Sequence, residues 1–149
     1  MSMLTDTLIR VFNRDLNRLK DEINAYKDEH NLWLLPKGIS NTAGNLAIHI
    51  VGNLNTYIGA KLGATGYIRQ RDLEFSIKNV SREDIINQID DVMVIIENTL
   101  KTLTTEDLEK EYRRRDSEAY MTTEFFLVHL TTHLNYHLGQ INYHRRLLE

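Results

Sequence analysis

Most of the chemistry this sequence offers lies in its six histidines. His129, His133 and His137 recur at every fourth position near the C-terminal end. On a helix each is turned about 40° and raised about 6 Å from the last, so the three share a face. Two imidazoles at i and i+4 can address one ion, with nitrogen–metal distances of about 2.0–2.1 Å for zinc. His133 and His137 form such a pair. A third histidine from a facing helix would complete a three-nitrogen site with a position left open, the arrangement of a catalytic rather than a structural metal. The run His133-Leu134-Asn135-Tyr136-His137 has no glutamate after its first histidine. The glutamate-assisted protease motif His-Glu-x-x-His is therefore absent.

Each histidine also has a plainer reading. An i,i+4 pair is a common spacing on any helix. His49 follows Leu46 and precedes Ile50 near the inward face of another segment. There such a residue is more often a hydrogen-bonded core histidine than a ligand, and an unpaired buried imidazole is costly. His30 stands beside Trp33 in a loop and needs no special role.

Composition narrows the options. With no cysteine, a disulfide scaffold, a thiol nucleophile and any Cys-containing zinc site are excluded. A metal would have to use histidine, carboxylate, carbonyl or water. The net charge of -3 gives no bulk attraction to nucleic acid. The short basic runs Arg113-Arg114-Arg115 and Arg145-Arg146 read as solvated helix ends. The stretch Met1 to Lys20 is amphipathic and charged, without the apolar segment of a signal peptide. No apolar run reaches the roughly 20 residues that span a bilayer. The expectation is a cytoplasmic protein with neither a nucleic-acid nor a membrane partner.

The elements that must position the histidines are helical. At 149 residues, 42% hydrophobic and with one proline and seven glycines, the chain fits one domain, 1–149, of long helices. From Leu4, the residues Leu8, Val11, Phe12, Leu16, Leu19, Ile23 and Tyr26 recur at steps of three and four, one face of a first helix. Pro36 and Gly38 end that region, and Ser40-Asn41-Thr42 offers cap chemistry for a second helix to about Lys61, with Leu46, Ile50, Leu54, Tyr57 and Ile58 inward. Leu62 to Val80 has no clear helical period. At that length it reads as a crossover between helices running in the same direction, with Tyr67, Arg69, Arg71 and Asp72 covering one end. Ser81 caps a third helix carrying Ile85, Ile89, Val92, Ile96 and Leu100, and Thr104 starts a short helical piece. Tyr112 to Tyr120 is polar, a loop or a frayed hairpin, and the last helix runs from near Thr122 to about Leu148. The fold class is all-α, a four-helix bundle with a long crossover between helices two and three.

The run from His133 through His137 to Gly139-Gln140 resembles the His-x-x-x-His-x-Gly-Gln signature of the DinB-like superfamily, which includes the YfiT-like metal-dependent hydrolases. Asn45-Leu46-Ala47-Ile48-His49 lies where that superfamily carries a third histidine, and the likeness covers essentially the whole chain. The stretch Ala43 to Leu54, with Gly66-Tyr67 to Phe75, resembles a bacterial branch of it.

The resemblance implies a divalent metal ion on His49, His133 and His137, with nickel or zinc ahead of iron or manganese, often in a homodimer. It sets His129 aside as a second-layer or core residue. Leu138 departs from the polar residue many members carry there. Asn45, Asn53 and Gln140 are candidates to orient the ligand imidazoles through their second nitrogens. Gly139 reads as a site of close helix packing.

Two classes of function follow. One is a metal-dependent enzyme of the thiol-dependent S-transferase or hydrolase type, in which Arg69 and Arg71 would hold carboxylates of a small thiol. The other is a metal-binding stress or interaction protein without turnover. Three ligands with an open position favour the enzyme, although no general base shows a distinctive spacing and the catalytic residues stay unassigned.

Overall fold

The computed structural model describes residues 2–115 and 118–149. Helix α1, Met3–Ala25, starts at Ser2, whose hydroxyl accepts the Thr5 N–H, and buries Leu8, Phe12, Leu16, Leu19 and Ile23. A 3₁₀ turn, Glu29–Trp33, leads on to α2, Ala43–Leu54, capped by the Thr42 hydroxyl on the Asn45 N–H. A short α3, Arg71–Ser76, lies in the crossover. Helix α4, Arg82–Thr102, is capped by Ser81; α5, Thr105–Glu109, opens on a Thr104–Asp107 capping box; and α6 is Thr123–Leu148. Such caps satisfy N–H groups that the first helical turn leaves without partners.

Helix α1 packs on α4 and α6, and α2 packs on the same two helices. Between them lie fully buried Phe12, Leu16, Ile50, Ile89, Val92, Leu130, Leu134 and Ile141. Burial of each such side chain stabilises the fold by about 1.5–3 kcal/mol. The inward residues follow the periodicity of the sequence closely. Among the described residues the protein is all-helical apart from one isolated antiparallel bridge, Glu111 with Thr122. No helix is long and apolar enough to cross a membrane.

Two segments differ from the sequence expectation, and a third decides between the alternatives it left open. Helix α2 does not continue as a regular α-helix to Lys61: it widens into a π-helical stretch, Asn55–Ala60, before a last turn at Lys61–Gly63. Inside the wider stretch Gly59 meets helix α4, where an added Cβ would come within 3.2 Å of Ile95 Cγ2. Periodicity of apolar residues cannot register one wide turn, because the extra residue only rotates the pattern that follows.

The crossover is not irregular throughout, since α3 docks on α2. The polar stretch after Tyr112 is the hairpin alternative: the Tyr112 N–H donates to Met121 O at 2.9 Å and the Thr123 N–H to Lys110 O at 2.8 Å. Asp116 and Ser117 in that stretch lie outside the described residues. The Arg113-Arg114-Arg115 run therefore sits on this hairpin, not at a helix end. Arg145 does lie in the last turn of α6, where its Nε donates to Glu22 at 2.9 Å.

Candidate metal centre

Helix α2 holds His49 and α6 holds His133 and His137. Packing of the two helices brings the three imidazoles together. His49 Nε2 lies 3.3 Å from His133 Nε2, and His137 Nε2 lies 3.1 Å from the same atom. One ligand nitrogen from each residue can be chosen so that all three lie within 4.8 Å of one another.

The outer nitrogens explain which atoms face inward. His49 Nδ1 is 3.0 Å from Glu74 Oε1. An ionised carboxylate only accepts, so this nitrogen donates, and in the neutral ring, the form that ligates a metal, His49 Nε2 keeps its lone pair. His137 Nδ1 is 2.7 Å from Gln140 Oε1, which fixes the same tautomer at His137. His133 Nε2 thus faces two lone pairs, and a single proton on it could satisfy only one. A cation among the three satisfies all.

The spacing also fits. Ligands about 2.0–2.1 Å from a tetrahedral ion stand about 3.3–3.4 Å apart, against the 3.3 and 3.1 Å found here. Electrostatics agree with neutral ligands: burial, then the neighbouring histidines and Arg69, push His133 down to about 3. Burial also lowers His137. The residues present therefore fit a divalent ion on His49, His133 and His137.

Behind His49 stands Glu74, which the sequence reading did not single out. It is almost completely buried on α3, accepts from His49, and takes two hydrogen bonds of 3.0 Å from Arg69 Nε and Nη2. Burial works against its ionisation, but hydrogen bonds from His49 and Arg69 outweigh it and hold its carboxyl below the usual range.

Helix α2 is built to receive this carboxylate. Asn45, one turn before His49, donates through Nδ2 to Glu74 O at 2.9 Å and Ile77 O at 2.7 Å. Gly52, one turn after His49, leaves the space that Glu74 fills. Asn45, His49 and Gly52 lie on one face at helical spacing, and all three meet α3 or the residue that follows it.

The other singled-out residues fall around this centre. Gln140 orients His137, and Asn45 acts on Glu74 through its main chain. Asn53 is buried on α2, with its side-chain oxygen lacking a partner among the described residues. His129 is exposed, its ring 5.7 Å from Phe126, and it lines a cavity of about 600 Å³ together with His49, His133 and Asn53. Arg69 and Arg71 line the same cavity. Arg69 is committed to Glu74, whereas Arg71 lies over the Phe75 ring at 5.3 Å.

Lys61, Arg114 and Arg115 also reach this cavity, which nothing in their local sequence signals. His137 and Gln140 instead face a second, more apolar cavity of about 570 Å³, walled by Ile39, Leu46, Tyr136 and Tyr143.

Two of the sequence residues are elsewhere. His30 is exposed in the 3₁₀ turn. His144 is buried in the core, with Nδ1 2.6 Å from the Tyr26 hydroxyl and Nε2 2.8 Å from Leu34 O. Gly139 makes no close packing within the chain, since a Cβ added there would meet nothing within 4 Å. It lies instead in an exposed stripe of α6 that includes Phe125, Val128, Tyr136, Tyr143 and Leu147.

The family model described as a protein of unknown function (DUF1572) matches residues 4–149. The chain belongs to that family. The match spans α1 through α6 and so includes all three histidines of the centre. A search of the curated proteins found no match.

Proposed function

We propose that this member of the DUF1572 family is a divalent-metal-dependent enzyme of the thiol S-transferase or hydrolase type. In this reading it is a four-helix bundle of the DinB/YfiT-like superfamily, working in the cytoplasm as a homodimer. The observation that carries the proposal is the convergence of three Nε2 atoms whose outer nitrogens are engaged at His49 and His137.

A divalent ion there, zinc or nickel, would supply Lewis acidity toward a thiol, a carbonyl or water. The protein's own residues have distinct tasks. His49, His133 and His137 offer neutral nitrogens and leave one side open toward the cavity. Glu74 and Gln140 hold two of the rings in the tautomer that presents Nε2. Arg69 neutralises Glu74, so the carboxylate stays ionised although buried. The cavity beside His49 and His133 has room for a small molecule.

Metal analysis of protein made without a polyhistidine tag tests the centre. About one ion per chain is expected, lost in His133→Ala. A substoichiometric content that reloading does not restore would remove the proposal. Assays of the metal-loaded protein with small thiols and electrophiles test turnover. Turnover abolished in His133→Ala supports the enzyme, and none with any thiol transfers the reading to a metal-binding protein without catalysis. The exposed apolar stripe on α6 supports the homodimer, and sedimentation showing a monomer at micromolar concentration would contradict it.

A further inference from the structure

The cavity beside the triad has an unusual charge. Lys61, Arg69, Arg71, Arg114 and Arg115 all line it, and among the described residues no aspartate or glutamate does. Two carboxylates lie just behind the lining. Glu74 is taken by Arg69, and Glu118 by Arg114, whose Nε donates at 2.8 Å, with Arg115 Nε 3.5 Å away. Lys61 and Arg71 have no carboxylate partner among the described residues. Among the described residues, five cations against two carboxylates leave a surplus of about three positive charges around one concave space, before any metal is added.

Such a surplus is not needed for the fold. Like charges gathered around a concave, low-dielectric wall repel one another and focus a field that concentrates anions. An independent feature specifies a second group on the ligand. Asn53 is 7% exposed, lines this cavity, and has a buried side-chain oxygen with no partner among the described residues. A buried amide oxygen left unsatisfied costs about 1–3 kcal/mol, and it only accepts, so its place on a cavity wall calls for a ligand that carries an O–H or N–H donor. The chamber's other wall, Tyr57 and Phe126, is aromatic, and Arg114 lies over both rings at 5.8 and 5.5 Å.

We infer that this chamber binds a small, multiply anionic organic molecule, its anionic oxygens held by Arg71, Arg115 and Lys61 and an O–H or N–H group of it donating to the Asn53 oxygen, beside the open side of the metal centre. The inference rests on the proposed metal centre for its functional meaning, because it names the substrate class that centre would meet. The shared ligand chemistry is the oxyanion, whether carboxylate or phosphate. At about 600 Å³ the space suits a metabolite-sized molecule.

Calorimetry on the metal-loaded protein separates the possibilities. The probes are succinate, glycerol phosphate and neutral succinamide, with metal content measured after each titration. One of the two anions should bind with 1:1 stoichiometry and weaken as salt rises, while succinamide should not bind. The stronger anion assigns carboxylate or phosphate. Arg71→Gln, an exposed position where folding is not at risk, should weaken that anion about tenfold with metal content unchanged, and Asn53→Leu should weaken glycerol phosphate, whose hydroxyls can donate, more than succinate, which has none.

Equal binding of succinamide, no anion binding at full metal occupancy, or unaltered affinity in Arg71→Gln would each overturn the inference. His133→Ala keeps the two readings apart. An anion that still binds this variant, with the loss in Arg71→Gln retained on that background, supports the chamber even if the wild-type protein proves to hold no metal.

Discussion

Gly52 and Glu74 fit each other: a Cβ at Gly52 would stand 1.9 Å from Glu74 Oε2 and 2.6 Å from its Cδ. The same carboxylate lies 3.0 Å from His49 Nδ1. A glycine in the middle of a helix costs roughly 0.5–1 kcal/mol relative to alanine, so its presence here needs a compensating contact. That contact is the approach of a buried carboxylate to a histidine one turn away. Gly52, through the absence of a side chain, sets where Glu74 sits and thus which tautomer His49 adopts.

Gly52→Ala should therefore act on metal affinity more than on the fold. Glu74 must retreat from α2, its bond to His49 is lost, and His49 is free to rotate. Loss of such an outer partner typically weakens metal binding about 10–100-fold. Metal titration against a competing chelator, alongside circular dichroism, measures both effects. Retained helicity with weakened metal is the expected pair, and unchanged affinity would show that Glu74 does not orient His49.

Glu74→Gln asks the complementary question, because it preserves shape and removes charge. The amide can still accept from His49, but Arg69 then has no anion in a largely buried position. Uncompensated charge at such a site is destabilising, by about 3–5 kcal/mol when burial is complete and less here, where Arg69 is partly exposed. A lower melting temperature is expected, with metal affinity falling less than in Gly52→Ala. Glu74→Gln combined with Arg69→Met should recover part of the stability.

Much of this was readable from the sequence, and the unread part has a physical reason. His133 and His137 share a helix, so their geometry follows from spacing alone, and the apolar faces of α1, α2, α4 and α6 follow from periodicity. Glu74 belongs to a different category. Its partners His49 and Gly52 are more than twenty residues away, and α3 is too short to show an amphipathic period. Gly52 left a trace as a glycine inside a helix, but a glycine does not name the group that approaches it. The cationic chamber was hidden for the same reason: Lys61, Arg71 and Arg115 come from three separate segments and meet only in space.

The metal-free protein should lose stability on acidification, beginning near neutrality. His133 is held at about 3, well below the ordinary histidine value of 6.5. The unfolded chain therefore binds more protons than the folded one between those values. Stability from this group is fully present above about 6.5 and is lost as pH falls toward 3. His137 is shifted in the same direction, and Glu74, also lowered, adds its loss below the usual carboxylate range. The slope reaches about 1.4 kcal/mol per pH unit for each proton taken up. Urea unfolding at a series of pH values measures it, and a flat profile from pH 7 to 5 would show that the imidazoles are not held neutral.

Far from the metal centre, Tyr26 and His144 make a prediction about stability alone. The Tyr26 hydroxyl is 2.6 Å from His144 Nδ1, and His144 Nε2 donates to Leu34 O at 2.8 Å. Both rings are buried. In the neutral ring Nε2 carries the proton and Nδ1 accepts from the tyrosine hydroxyl, which also lies 3.2 Å from Ile141 O. Burial, followed by the charge on Glu22, raises the Tyr26 pKa and keeps that proton in place.

Tyr26→Phe preserves the packing and leaves Nδ1 buried without a partner, a loss of about 1–3 kcal/mol. In a chain of this size each kilocalorie corresponds to about 2–4 °C of melting temperature. The melting point should fall accordingly, while metal stoichiometry and affinity match the wild type, since no atom of this pair reaches the triad. Altered metal binding in Tyr26→Phe would mean that the far end of α6 communicates with His137, contrary to a clamp that only ties α1 and the Leu34 segment to α6.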